Sequence, residues 1–315
     1  MSLTDHVFLY CERGTNELLL AEPVNAASNA GFLLAALIGL MLVLRRPREQ
    51  RSSDHFLLIA LVLLIGLGSL AFHLLASRAT ELADVVPIGV FMLVYLGFAL
   101  NRFLRVPPGW TVLIVIGFAA IASIILQLKC WDGVVGVPGA EVADAKECVN
   151  GSVGYLPALV ALIVVGGLLR ERGHRAAPYI LWAAAIFAVS VTFRSLDLSL
   201  CDHVIYDGRK IGTHFVWHLL NALTLFLLLR ASLEAGGDGE GKALLRLPKA
   251  RAPKEEGLPE EQASEPEEEA PKPEEAASKP EEPDLEPGDA PKPEEQASKP
   301  EESQRPEEPK ATFPS

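Results

Sequence analysis

Long apolar stretches separated by short polar segments dominate the first 232 residues of the chain. Six of them lack Asp, Glu, Lys and Arg and are long enough to cross about 30 Å of hydrocarbon as a helix rising about 1.5 Å per residue. They are Ala26–Leu44, His55–Ala76, Trp110–Leu128, Ser152–Leu169, Ala176–Phe193 and Ile211–Leu229. A seventh stretch, Leu82–Leu100, contains one acid, Asp84, near its start. Because backbone polar groups must be paired inside lipid, the pattern predicts an all-α fold, a bundle of seven transmembrane helices.

Arginine residues collect in the loops after the first, third and fifth spans, for example Arg45 and Arg46, Arg102 and Arg105, and Arg170. The excess of positive charge predicts that these loops face the cytoplasm, with the N-terminus outside and the C-terminus inside. The first fourteen residues lack a basic segment followed by an apolar core. We therefore predict no cleaved signal peptide, and the first span would itself insert.

All four cysteines fall in segments assigned to the outer face, where disulfides are expected. They are Cys11, Cys130, Cys148 and Cys201. Four cysteines allow three pairings. We favour Cys130–Cys148 within one loop and Cys11–Cys201, which would tie the N-terminal segment to the loop before the seventh span. Four free thiols are the alternative.

From about Ala235 onward the chain consists mainly of Pro, Glu, Lys, Ala and Ser. Residues 251–315 hold 21 acidic and 8 basic residues, a net charge of −13, compared with −12 for the whole chain. Such a composition predicts a disordered cytoplasmic tail over 233–315, separate from a transmembrane domain over 1–232. The tail would be a solvated extension or, alternatively, would dock an unknown cytoplasmic partner. The near-neutral apolar body argues against nucleic-acid binding and against a soluble enzyme.

Ionisable side chains within the spans are costly and indicate functional sites. His214 and His218 are four residues apart, on one face of the seventh span, a spacing that suits two ligands of one metal ion. His73 ends the second span, which runs the opposite way, so all three histidines are expected at one depth near the outer surface. Three imidazoles around zinc leave a fourth position for water, as in catalytic sites. His55, at the cytoplasmic start of the second span, is expected to be an interfacial residue instead.

Two more polar residues are expected at the level of these histidines. Ser69 precedes His73 by four residues and shares its helix face, while Asp84 follows His73 by eleven residues across a tight turn. An unpaired buried carboxylate is costly, so Asp84 should be paired, hydrogen-bonded or protonated, and beside a zinc-bound water it would be a general base. Alternatively, Ser69 only allows close helix contact, and Asp84 only pairs with Arg194 or Arg78.

The ordered set of motifs resembles the alkaline ceramidase family, integral membrane amidases in a superfamily of seven-helix zinc hydrolases that includes adiponectin-receptor-like proteins. The matching segments are CE at 11–12, AEPVNAASN at 21–29, GLGSLAFH at 66–73, ELADVVP at 81–87 and HFVWH at 214–218. The resemblance implies hydrolysis of the amide bond of ceramide or a related N-acyl lipid, a membrane lipid substrate, to a sphingoid base and a fatty acid. It also implies that His73, His214 and His218 hold Zn²⁺, that Ser69 supports the developing oxyanion, and that Asp84 handles the proton of the attacking water.

Further properties follow from the same resemblance. It implies a disulfide between Cys11 and Cys201. It also implies a calcium site in the N-terminal segment, for which Glu12 and Glu22 match the expected acids. Leu9 stands where an Asp is expected and Gly14 where an Asn is expected, with Asn16 as a substitute, although Ca²⁺ takes six or more oxygen ligands.

Two other functional classes compete with the hydrolase. A membrane receptor or sensor of the adiponectin-receptor-like type would use the same zinc geometry for signalling, but that group places its N-terminus in the cytoplasm. A transporter would need internal repeats or broken helices, and Pro87 and Pro157 do not form a repeated pair.

Overall fold

A computed structural model describes residues 2–131, 134–138 and 146–235. All of them belong to the first of the two units into which the chain divides, residues 1–251 and 252–315. The disordered tail was predicted to begin at 233, but Leu233–Ala235 form a short 3₁₀ helix. The rest of the tail, with the partner expected to dock on it, lies outside the described residues.

Eight α-helices form the body of the described chain. They are α1 (Pro23–Ser28), α2 (Ala30–Leu44), α3 (Ser53–Leu75), α4 (Arg78–Phe98), α5 (Pro108–Ile125), α6 (Leu156–Glu171), α7 (Ala177–Leu196) and α8 (His214–Ser232). Shorter helical segments of 3₁₀ or π type cover Arg48–Gln50, Ala99–Phe103, Cys148–Tyr155 and Leu233–Ala235. Within the described residues, seven helices are long and apolar enough to cross a membrane, with α1 and α2 together making the first. The predicted all-α bundle of seven spans is confirmed, and the chain is an integral multi-pass membrane protein.

Short strands occur in the loops between helices and do not alter the helical architecture. In the loop after α5, β1 (Lys129–Trp131) lies between β2 (Val134–Gly136) and β3 (Lys146–Glu147), antiparallel to both. Before α8, β4 (Ile205–Tyr206) and β5 (Arg209–Lys210) form an antiparallel hairpin.

Both favoured disulfides are present. Cys11 is bonded to Cys201 and Cys130 to Cys148. The first bond ties the N-terminal segment to the loop before α8, and the second closes the loop that contains β1. Each bond lies at the end of the bundle where α3, α5 and α7 finish and α8 begins.

Capping residues set the tight connection between α3 and α4. Ala76, with a left-handed φ of 44°, ends α3. Ser77 then caps α4, because its side chain accepts a hydrogen bond from the backbone N–H of Thr80. The helix therefore begins at Arg78, earlier than the predicted Leu82, and Arg78 forms an ion pair with Glu81 in the first turn. With only two linking residues, α3 and α4 are adjacent and antiparallel.

A glycine brings α3 and α4 unusually close together. A Cβ at Gly68 would overlap the carbonyl group of Ala83 and approach the backbone nitrogen of Asp84 at 3.2 Å. Only glycine allows this approach, which places Ser69 beside Asp84 across the helix contact. Gly68, rather than Ser69, is therefore the small residue that allows this helix contact.

The helices differ strongly in how far the protein encloses them. Spans α3 and α8 are the most buried, whereas α5 presents nearly all its side chains outward. The N-terminal segment covers one end of the bundle, where the backbone N–H of Val7 donates to the carbonyl of Ala76 at 2.8 Å. Polar residues on α3 and α8 at this end are therefore enclosed by the protein on all sides.

Candidate metal centre

Three histidines meet at the covered end of the bundle. His73 comes from the last turn of α3, and His214 and His218 from the first turns of α8. One ligand nitrogen from each ring lies within 4.8 Å of those of the other two, and all three side chains are buried. We call this group the histidine centre; it is the convergence that the sequence analysis expected.

Hydrogen bonds fix which ring nitrogens of the histidine centre carry protons. His73 Nδ1 lies 2.5 Å from the Glu22 carboxylate, which accepts its proton. Ser28 donates its hydroxyl proton to the carbonyl of Asn25 at 2.7 Å, so at its 2.7 Å contact with His218 Nδ1 the imidazole must be the donor. A metal-ligating imidazole carries one proton, so with Nδ1 as the donor each of these rings would offer the lone pair of Nε2 to an ion.

The arrangement of these lone pairs fits a bound metal ion. The Nε2 atoms of His73 and His218 lie 3.2 Å apart. Two ligand nitrogens of a tetrahedral zinc ion, with bonds of about 2.0–2.1 Å, are about 3.3 Å apart. Two facing lone pairs repel each other unless a cation or a proton lies between them. His214 Nδ1 is also buried and has no hydrogen-bond partner in the described structure.

Glu22 joins the histidine centre to the N-terminal segment. One carboxylate oxygen accepts from His73 Nδ1, and the other accepts from Arg13 Nε at 2.5 Å. Burial alone would raise the pKa of Glu22, but the hydrogen bonds with His73, Arg13 and Asn25 bring that pKa below its ordinary value. Glu22 is therefore ionised and accepts a hydrogen bond from His73. A carboxylate in this position orients the ring of a metal-ligating histidine and increases its basicity.

Asp197, just after α7, organises the start of α8. Its carboxylate accepts hydrogen bonds from the backbone N–H groups of Cys11 at 2.9 Å, Thr213 at 2.7 Å and His214 at 2.9 Å. Burial raises the pKa of Asp197 above its ordinary value, although these three donors act in the opposite sense. The side chain thus holds the N-terminal segment and the first residue of α8 in one arrangement.

Tyr10 lies against the histidine centre from the N-terminal segment. Its ring stacks on His214 with the ring centroids 3.6 Å apart. Burial raises the pKa of Tyr10, so its phenol stays neutral, and its oxygen accepts a hydrogen bond from Arg194 Nη1 at 2.6 Å. Arg194 also lies over the rings of Tyr155 and Trp217.

Ser69 and Asp84 lie beside the histidine centre, as expected. Both are buried, and Ser69 follows Gly68, whose position meets the backbone of Ala83 and Asp84. Asp84 also interacts electrostatically with His73 and Arg194. Of the two alternative partners considered for Asp84, Arg78 pairs with Glu81 instead. The structure thus brings together all five residues expected at the zinc site; their catalytic and metal-binding roles stay predictions.

Glu12, by contrast, is hydrogen-bonded to α1 and not to a histidine of the centre. Its two carboxylate oxygens accept from the backbone N–H groups of Val24 and Asn25, each at 2.8 Å, so it caps the short helix α1. Burial raises the pKa of Glu12 above its ordinary value. Among the described residues, the group that could hold a metal is the histidine centre, and it contains neither Glu12 nor Glu22.

Several residues around the centre were not singled out from the sequence. They are Tyr10, Arg13, Asn25, Ser28 and Asp197. Four of them lie in the segments CE and AEPVNAASN or next to these, so the signal was polar residues in or beside a motif already recognised. Asp197 had no comparable signal, since its function depends on backbone groups far away in the sequence.

Two cavities lie near the centre. The larger, about 400 Å³, lies between α4 and α5 and is lined by Tyr10, Val85, Tyr155 and Arg194 among others. The smaller, about 70 Å³, is almost wholly apolar and is lined mainly by α4, α6 and α8, with Asn221 as one of its few polar residues. Tyr155 lines both. Tyr10 lines the larger cavity and stacks on His214.

Comparison with known proteins gives one family. A family model described as Ceramidase matches residues 10–235, more than half of the chain and all seven spans. No curated protein matches the chain.

Proposed function

The chain belongs to the ceramidase family, and from this premise we propose that it is a zinc-dependent hydrolase of the amide bond in ceramide or a related N-acyl lipid. The products are a sphingoid base and a fatty acid. The observation that carries the proposal is the convergence of three buried histidines, with the Nε2 atoms of His73 and His218 3.2 Å apart, beside a buried carboxylate. The family match supports this hydrolase over a receptor or sensor of the adiponectin-receptor-like type.

His73, His214 and His218 would hold Zn²⁺. A zinc ion bound by three imidazoles supplies a Lewis acid for the amide carbonyl and a water of lowered pKa. Glu22 and Ser28 keep the rings of His73 and His218 in the tautomer that presents Nε2 to the ion.

Asp84 and Ser69 would carry out the proton transfer and stabilise the oxyanion. Asp84 accepts the proton of the attacking water and delivers it to the leaving amine. Ser69 donates a hydrogen bond to the oxygen that becomes negatively charged as the carbonyl is attacked. Removing one such donor typically costs about 3 kcal/mol of transition-state stabilisation.

The surroundings suit an amphipathic substrate with hydrocarbon chains. Apolar side chains such as Val85 and Phe118 line the larger cavity, and each methylene group buried there contributes about 0.8 kcal/mol to binding. Tyr10 and Arg194, at the end of this cavity nearest His214, are the polar groups available to a lipid head group.

We also propose that the histidine centre and the N-terminus are on the non-cytoplasmic side, with the C-terminus in the cytoplasm. Both disulfides lie at the histidine-centre end of the bundle, which suits an oxidising compartment. Tags at each terminus of the full chain in sealed membrane vesicles would test this orientation. Cytoplasmic exposure of the N-terminal tag would contradict it and favour the receptor type.

The central experiment measures bound zinc and amide release from ceramide by the detergent-purified protein. We expect about one zinc ion per chain and release of a fatty acid. His218→Ala should lose both metal and turnover, whereas Asp84→Asn should keep the metal and lose about 10²–10⁴-fold in turnover.

Two matched variants control for the loss of a side chain of the same type. His203 and Asp202 are exposed residues in the loop before α8. His203→Ala and Asp202→Asn should retain both zinc and activity. Full activity in His218→Ala and Asp84→Asn would refute the proposal.

A further inference from the structure

Arg13 is enclosed by oxygen atoms next to the histidine centre. Its side chain is 1% exposed. Nε donates to a carboxylate oxygen of Glu22 at 2.5 Å, and Nη1 donates to the carbonyls of Asn16 at 3.0 Å and Leu18 at 3.1 Å. Nη2 donates to the carbonyls of His73 at 2.7 Å and Leu74 at 3.4 Å. The guanidinium group has five N–H bonds, and each of the five oxygens accepts a hydrogen bond from one of them.

This cage has the composition of a binding site for a hard cation. Carboxylate and backbone carbonyl oxygens are the ligands that Ca²⁺ takes in proteins. The cage also lies in the N-terminal segment, where the family resemblance implies calcium held by Glu12 and Glu22. In this chain the positive charge at the centre of the oxygens belongs to Arg13.

All four carboxylate oxygens of the two acids expected to hold calcium already accept hydrogen bonds within the protein. The carboxylate oxygens of Glu22 are bonded to Arg13 and to His73. Those of Glu12 accept from Val24 and Asn25. A divalent ion near Glu22 would also be repelled by the buried guanidinium group. The residues present therefore do not fit calcium.

Arg13 holds His73 by two routes. Nη2 bonds the main-chain carbonyl of His73, and Nε bonds Glu22, whose other oxygen accepts from His73 Nδ1. We infer that Arg13 is a built-in cation that replaces calcium in this chain and positions His73 for metal binding. The inference rests on the proposed zinc site, but not on the identity of the substrate.

The first test needs no mutation. The purified full chain, exchanged into calcium-free buffer, is analysed for calcium and zinc by mass spectrometry, and its thermal midpoint is measured with and without added CaCl₂. We expect zinc without calcium and the same midpoint in both buffers. Bound calcium, or a midpoint that rises with CaCl₂, would overturn the inference.

The second test asks whether Arg13 positions the metal ligand. Arg13→Gln removes the charge, and we expect zinc affinity, measured by competition with a chelator, to fall by about 10- to 100-fold, as for other partners of metal ligands. Arg13→Lys keeps a positive charge and should recover part of that loss, although it lacks the planar fork. This rescue separates positioning from a general loss of packing.

Arg209→Gln is the matched control, because Arg209 contacts the nearby carbonyl of Ala21 at 3.2 Å but neither Glu22 nor His73. It should leave zinc affinity unchanged. Wild-type zinc affinity in Arg13→Gln, or an equal loss in Arg209→Gln, would contradict the positioning role.

If Arg13→Gln does not fold, Arg13→Lys and the calcium measurement still decide the question. A protein that binds zinc without calcium but does not cleave ceramide would refute the proposed function and leave this inference intact.

Discussion

The two ends of the bundle each bury a polar group that contains histidine, but they differ in how the ring nitrogens are hydrogen-bonded. Opposite the histidine centre is a group that we call the Arg102 cluster: Ser52, Asp54, His55, Arg102 and Ser232. There Arg102 pairs with Asp54 at 3.1 Å. His55 accepts from the backbone N–H of Ser52 through Nδ1 and contacts the carbonyl of Ser232 through Nε2. Its ring caps α3 and joins α3 to α8, and it is buried within the protein at the start of that span.

At the histidine centre, the Nδ1 atoms of His73 and His218 are likewise bonded to protein groups, but their Nε2 atoms face each other. Both ends of the bundle therefore contain buried histidine side chains with hydrogen-bonded ring nitrogens. The difference is that both ring nitrogens of His55 contact other protein groups, whereas the Nε2 atoms of His73 and His218 contact each other. Unsatisfied polar atoms, rather than buried ones, indicate where a ligand is needed.

Removing one imidazole from each end should give the largest contrast. His214→Ala is expected to lose the bound zinc and, with it, about 4 kcal/mol or more of transition-state stabilisation, about a thousandfold in amide release. His55→Ala should keep its zinc and lower the free energy of unfolding by about 1–3 kcal/mol, because its backbone partners are left unpaired. Metal analysis and thermal denaturation of both variants in detergent check this. Loss of zinc in His55→Ala would contradict the proposed difference between the two ends of the bundle.

A methyl group at the contact between α3 and α4 should disturb the histidine-centre end alone. Gly68→Ala forces α3 away from the backbone of Ala83 and so separates Ser69 from Asp84. A displacement of about 1 Å can lower turnover by about 10²-fold. Gly117→Ala in α5, where a Cβ meets nothing within 4 Å, is the control and should be active. Wild-type turnover in Gly68→Ala would show that the close approach has no functional consequence.

Changing the charge of one carboxylate at each end should separate positioning from stability. Glu22→Gln weakens the hold on His73 and is expected to lower zinc affinity by about 10- to 100-fold. Asp54→Asn removes the partner charge of Arg102 and should reduce thermal stability without changing zinc affinity. Chelator competition and thermal midpoints distinguish the two. Equal zinc affinity in both variants would contradict the role given to Glu22.

The smallest effect is expected from a single hydroxyl group. Ser28→Ala removes the acceptor of His218 Nδ1, and a hydrogen bond contributes about 1 kcal/mol, so zinc affinity should fall about fivefold. Ser232→Ala is the matched control, because Ser232 is also buried and donates to a backbone carbonyl, that of Leu229. Its zinc affinity should equal that of the wild type. An unchanged zinc affinity in Ser28→Ala would show that contacts other than the one with Ser28 set the tautomer of His218.

The amino-acid sequence by itself determined the membrane fold and the core of the candidate site. Seven apolar stretches predicted the seven spans, since uninterrupted hydrophobicity over a membrane thickness is a local property of the chain. The spacing of His214 and His218, and the direction of the span that ends at His73, predicted the histidine centre because helix geometry fixes depth and face. The distribution of cysteines on one face favoured the pairing that the structure has.

Only the tertiary structure decided which polar groups surround the three imidazoles. Glu22 bonds His73 across 51 residues of sequence, Arg13 bonds His73 across 60, and Ser28 bonds His218 across 190. No periodicity links such positions, because each contact depends on how the N-terminal segment folds over the ends of α3 and α8. The sequence therefore predicted the three histidines of the centre, while packing determined that Glu22 and Arg13 both contact His73.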